Sequence, residues 1–245
     1  MVRLVSADDP YVLCLQELPV WALAHLGEWS GMQSYADVAQ PPRLGPLPIS
    51  SGLGGAITSL NHGLFRSAVS GQANAILLSA EAEVLAHDSL VLNSRPFRRR
   101  QADWLGLGLV AKLGWAKERR VVQVVRSRLG RKTYCIANLH ATSYPADQRL
   151  ADAELLRAAV FLDGMAQPRD VCVLAGDFNV TAERSATQAE LASEDWGFSP
   201  PADEGIDQIL VRGARMRRLT RWPKERRRLD GRLLSDHAPA EATLA

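Results

Sequence analysis

Apolar residues fall into short runs separated by polar, glycine- and proline-containing stretches. Residues 12 to 18 (VLCLQEL) form the first run, directly after Pro10, and read as a buried strand with Gln16 and Glu17 at its end. Further strands are predicted at 73 to 79, 82 to 92 and 106 to 111. Residues 120 to 126 and 132 to 139 predict a hairpin joined at Gly130. Strands also follow at 171 to 175, 206 to 211 and 239 to 244. Helical spacing appears in three places. Trp21, Leu23, Leu26 and Trp29 give residues 19 to 38 one apolar face. Leu150, Leu155, Leu156, Ala159 and Leu162 do the same for 147 to 164, with Gly164 as a stop. Residues 181 to 195 form a shorter polar helix, and Gln40 to Gly55 read as loop. Many strands with few helices predict an α+β or α/β sandwich and not a regular βαβ alternation. No repeat or long linker divides the chain, so residues 1 to 245 are expected to form one domain, and a monomer.

Composition is ordinary for a globular protein, with 47% hydrophobic and 23% charged residues, so a sizeable core is available without metal or disulfide staples. Cys14, Cys135 and Cys172 are odd in number and lie inside apolar runs, which predicts buried reduced thiols. No leader-like apolar stretch opens the sequence and no apolar run reaches 18 residues, so a cytoplasmic protein is expected. The net charge of +2 decides nothing by itself, but arginines cluster at Arg95, Arg98, Arg99 and Arg100, and again through 212 to 232. Such clusters suit a phosphate backbone, with Trp104 and Trp222 available to stack on bases; a solvated arginine-rich surface is the plainer alternative.

The candidate chemistry lies at the ends of the strands, where a rigid scaffold presents side chains to a site. Glu17 ends the first run, and a glutamate there must be solvated, paired or metal-bound. His140 ends the strand that contains Asn138. Asp177 and Asn179, in GDFN after VCVLA, share one side of an extended chain because they are two apart. Asp207 opens the run IDQILV, and Asp236 and His237 precede the last strand. A carboxylate hydrogen-bonded to a histidine fixes its tautomer and raises its basicity. Carboxylates without a His and Cys cluster suit a hard cation such as Mg2+, which keeps several waters and takes phosphate oxygens, and do not suit zinc.

Taken in order, VLCLQEL, NAILLS, ANLHAT, LAGDFN, GIDQIL and LLSDHAP resemble the motifs of the endonuclease/exonuclease/phosphatase superfamily. The resemblance runs from about Asp9 to the C-terminus. It implies a four-layer α/β/β/α sandwich of two packed mixed sheets, with the site at one edge. It also implies a metal-dependent phosphoesterase, on DNA or RNA first and a lipid headgroup or small phosphate second. Mg2+ is the implied cofactor, with Mn2+ as a substitute. Glu17 resembles the metal-binding glutamate, with Asp236 a further acidic member of the metal site. His140 resembles the histidine that contacts the scissile phosphate. Asp177, supported by Asn179, looks like the residue that positions or activates water, and His237 like the catalytic histidine oriented by Asp207. Asn74 in NAILLS and Asn138 are assigned to substrate binding. The family's first strand, which carries an asparagine, has no counterpart in the sixteen residues before Glu17, and NAILLS lacks the Ser-Arg that relatives often carry. A non-catalytic binding relative is the third reading.

Overall fold

The computed structural model describes residues 1–41, 43–44, 47–48, 50 and 71–245. Ahead of the first strand lies a short helix, α1 (Val2–Ser6). Strand β1 (Val12–Leu18) pairs antiparallel with β3 (Gln72–Leu78), which pairs antiparallel with β2 (Gln33–Gln40), giving a three-stranded sheet in the order β1-β3-β2. The second sheet has five strands. Its order is β8 (Asp207–Arg212), β7 (Val171–Asp177), β6 (Lys132–His140), β5 (Val121–Leu129) and β4 (Glu83–Val91). All neighbours are antiparallel except β6 and β7. A separate ribbon pairs β9 (Met216–Arg221) with β10 (Ala240–Leu244).

Alternation along the strands stacks four layers. Ile76 and Leu78 of β3 point inward and meet Val125 and Ile136 of the second sheet. Their neighbours Ala75 and Leu77 point outward to Leu26 and Met32. On the far side, Val122, Val124, Cys135, Ala137 and Leu139 pack under helix α5 (Arg149–Met165), through Ala151, Leu155, Ala158 and Leu162. The helix–sheet–sheet–helix order agrees with the layering expected from the motifs. The three cysteines are free, with Cys135 and Cys172 buried. No helix among the described residues is long and apolar enough to cross a membrane.

Two elements differ from the periodicity reading. The helix expected over 19 to 38 is a 3-10 turn (Val20–His25) and a short helix, α2 (Leu26–Ser30); then Gly31, at φ +70°, turns the chain into β2. The helical spacing of Trp21, Leu26 and Trp29 extends no further than that glycine. The strand expected at 106 to 111 is instead the start of helix α4 (Leu109–Ala116), which follows helix α3 (Arg95–Trp104). Gly106, at φ +62°, makes the corner between them, and Trp115 anchors α4 by packing with Phe97 and Leu150. Most of the loop expected at 40 to 55 lies outside the described residues.

Candidate active site

The pairing of three strands builds the centre. In the parallel ladder His140 stands opposite Asp177, and in the next antiparallel ladder Asp177 stands opposite Asp207. Three polar side chains therefore form one row across the ends of β6, β7 and β8. Gly176 permits the close approach: its φ is +136°, and a Cβ there would lie 2.0 Å from the carbonyl oxygen of Leu139. Asn179 takes a left-handed turn at φ +51°. Its N–H donates to Asp177 Oδ1 at 3.0 Å, and its side-chain amide donates to the Ala141 carbonyl at 3.0 Å. The GDFN turn thus fixes the Asp177 carboxylate and ties it to the chain just after His140.

The loop before β10 brings His237 to this row. His237 Nδ1 lies 3.1 and 3.0 Å from the two oxygens of Asp207. That hydrogen bond, ahead of any other cause, raises the imidazole to about 9, although partial burial opposes it. Asp177 is raised to about 6, first by burial and then by the negative charge of Asp207. One ligand atom each from Asp177, Asp207 and His237 lies within 4.8 Å of the others. Asp236 is exposed beside them and accepts the His237 N–H at 3.2 Å.

Glu17 reaches the same place from the other sheet. The β1 register shifts between Leu15 and Leu18, and Glu17 has φ +55°. Such a bulge re-aims a side chain. Its carboxylate lies 3.8 Å from His140 Nε2, a contact longer than a hydrogen bond, and is 63% exposed. His140 is buried and 3.6 Å from Asp177 Oδ2. Burial first, then the positive charges of Arg120 and His237, hold it well below the usual imidazole range, so it stays neutral.

Seven of the nine residues expected at the site therefore converge: Glu17, His140, Asp177, Asn179, Asp207, Asp236 and His237. Asn74 and Asn138 do not reach the cleft. Asn138 is fully buried between the sheets, where its amide donates to the Leu15 and Ala75 carbonyls, both at 3.0 Å, and its oxygen accepts from Gln16 at 2.6 Å. Asn74 donates to the Val121 carbonyl at 3.2 Å. Both amides tie the two sheets together. Trp222, expected to stack on bases, is buried as well. Its indole N–H donates to Glu241, and the Arg226 guanidinium covers its ring at 3.5 Å.

The sequence reading missed Arg120. It is nearly buried, lies 3.0 Å from His140 Nδ1, and pairs with Glu118 at 2.6 Å. The hairpin register held the signal: Val122 faces Leu139, so Arg120 falls beside the end of β6. Glu154 was also missed. It lies fully buried in α5, and its carboxylate accepts from the N–H and hydroxyl of Thr142, both at 2.7 Å.

A sequence profile described as the Endonuclease/Exonuclease/phosphatase family matches residues 1–237. The chain belongs to this family. No curated protein matches it closely. Solved structures share the fold at low identity. A functionally unknown conserved protein from Enterococcus faecalis superimposes with a TM-score of 0.64 at 16% identity, over 100% of this chain and 88% of that one. The human Nocturnin catalytic domain with bound sulfate gives 0.62 at 15%, over 98% and 86%. Truncated Caenorhabditis elegans TDP2 gives 0.60 at 17%, over 99% and 89%. These likenesses show the fold. The family is one of phosphoesterase-type enzymes that generally use divalent metals, and the acid and histidine cluster here has the donors for one.

The centre lies along a groove of about 2060 Å3 that runs on between β1 and β10. Glu17, Asp177, Asp207, Asp236 and His237 are among its lining residues.

Proposed function

We propose that this protein is a divalent-metal-dependent hydrolase of phosphodiesters, with nucleic acid as the first substrate class. The row His140–Asp177–Asp207, capped by His237, carries this reading. The donors suit a hard cation: the four acids offer carboxylate oxygens, and among the described residues the grouped ligand atoms include no cysteine sulfur. Glu17 and Asp236 are the acids that would hold the ion, beside the group of ligand atoms that Asp177, Asp207 and His237 bring within 4.8 Å of one another. A bound divalent cation would supply Lewis-acid neutralisation of the non-bridging phosphate oxygens.

The chain's own residues do the rest. Asp177, with one oxygen fixed by the Asn179 N–H, turns the other to the cleft, where it orients a water and accepts its proton. His237 is cationic while Asp207 holds its Nδ1, so its Nε2–H donates to charge building on the phosphoryl oxygens. His140 donates as a neutral imidazole, steered by Arg120. The attacking oxygen bonds to phosphorus, the P–O ester bond breaks with its electron pair on the leaving oxygen, which takes a proton from solvent, and the attacking water's proton rests on Asp177.

Exposed Arg95, Arg99 and Arg100 on α3 and Trp104 at its end, 81% exposed, support a nucleic-acid substrate. A phospholipid headgroup is the second reading, favoured by exposed Leu109, Val110 and Leu113 on the following helix, α4. Hydrolysis of bis-p-nitrophenyl phosphate with Mn2+ or Mg2+ should appear and vanish with EDTA. Full activity in excess chelator would sink the metal assignment. Asp177→Asn and His237→Ala should each lose roughly 10²–10⁴-fold in kcat while folded, and near-wild-type turnover in both would refute the site. Nicking of plasmid DNA against cleavage of phospholipid vesicles separates the two substrate classes.

A further inference from the structure

Arg227 sits in the most arginine-rich stretch of the chain, yet it is 4% exposed. Among the described residues it has no carboxylate partner, and its Nε is buried without a hydrogen bond. Its Nη1 instead donates to three successive carbonyls, of Ser235 at 2.9 Å, Asp236 at 3.1 Å and His237 at 2.8 Å. The local chain path produces this. From Arg227 the backbone makes a tight two-residue ladder, Arg228–Leu229 against Arg232–Leu233, turning at Asp230 and Gly231, both at positive φ. It returns so that the Leu234 N–H donates to the Arg227 carbonyl at 2.9 Å. The guanidinium then faces the three residues that follow.

Burying a cation is costly unless polar groups meet it. Here three backbone dipoles do, and they belong to the segment that carries Asp236 and His237. Fixing three consecutive carbonyls fixes the peptide planes on both sides of His237, and so the direction from which its ring reaches Asp207. We infer that Arg227 is a positioning residue for the reaction: it holds residues 235 to 237 in the conformation that sets His237 on Asp207. This rests on the function proposed above.

The test uses the full chain, Arg227→Ala and Arg227→Lys, in two independent measurements. In amide hydrogen exchange, Arg227→Ala should exchange faster in peptides over 234 to 239 while those over 121 to 140 keep wild-type protection. With bis-p-nitrophenyl phosphate and Mn2+, its kcat should fall roughly 10–100-fold, as for residues that orient site ligands, with KM within about twofold. Guanidinium ion at millimolar concentration should return part of that kcat, and Arg227→Lys should retain more than Arg227→Ala. Faster exchange spread through 121 to 140, or unchanged exchange over 234 to 239, would overturn the inference, as would an unchanged kcat in Arg227→Ala. If the wild-type chain hydrolyses nothing, the proposed function fails, while the exchange result still decides whether Arg227 holds the segment.

Discussion

Glu154→Gln is the most discriminating perturbation of the scaffold under the site, because the two side chains have the same shape. Oε1 of Glu154 accepts from the Trp115 indole N–H at 2.5 Å and the Thr142 hydroxyl at 2.7 Å, and Oε2 accepts from the Thr142 backbone N–H at 2.7 Å. Two of the three partners are N–H groups that can only donate, and they address different oxygens. A glutamine has one acceptor oxygen. Whichever way its amide turns, its NH2 faces either the indole or the backbone N–H. Protonating Glu154, which burial favours by raising its pKa, does not rescue the swap, since the acid's proton can go to the Thr142 hydroxyl while both oxygens still accept. One fully buried N–H is therefore left unpaired, at about 1–3 kcal/mol, and the stronger bonds to a charged acceptor weaken further. A total loss of about 2–4 kcal/mol follows, equivalent to a fall of about 5–15 °C in Tm for a domain of this size. Urea unfolding followed by tryptophan fluorescence and circular dichroism measures it. A glutamine variant within about 0.5 kcal/mol of wild type, with an unchanged m-value, would refute the hydrogen-bond assignment. Thr142 lies two residues beyond His140, so the same substitution should lower kcat several-fold.

Two further outcomes follow from backbone and charge geometry. Gly176→Ala should destabilise by about 3 kcal/mol or more, since its Cβ would meet the Leu139 carbonyl oxygen at 2.0 Å and its φ is +136°; Gly164→Ala, in open space on α5, should instead gain roughly 0.5–1 kcal/mol, and thermal melts of the pair check both signs. Asp203 is held down to about 2, first by Arg221 at 2.6 and 2.7 Å, so its contribution is present above the ordinary carboxylate range and fades as pH falls from about 4 to about 2. Asp203→Asn should accordingly melt below wild type at pH 7 and converge with it near pH 2, and a constant gap would contradict the pairing.

Position along a strand was legible in the linear chain, because short continuous apolar runs end where polar residues begin. Glu17, His140, Asp177 and Asp207 could be placed at strand ends from that alone, and the order of the motifs joined them into one set. The helix over 147 to 164 and the hairpin at Gly130 were legible for the same local reason. Gly31 and Gly106, both at positive φ, end one helical face early and turn an expected strand into the corner before a helix, since spacing carries no information about φ.

What tertiary structure decided depends on register and burial. Only the pairing of β6 with β7 and β7 with β8 puts His140, Asp177 and Asp207 in a row. Asn74 and Asn138 read as free amides until two sheets close over them, and then the Leu15, Ala75 and Val121 carbonyls claim their donors. The arginines of 212 to 232 read as one basic surface. In the fold Arg212 pairs with Asp163, Arg221 with Asp203 and Arg226 with Asp8, while Arg227 turns inward to the loop of His237. A charge in a sequence has no partner until the chain packs. The linear chain determined the kinds of group available to the site, and the fold determined which faced the cleft and which held the others in place.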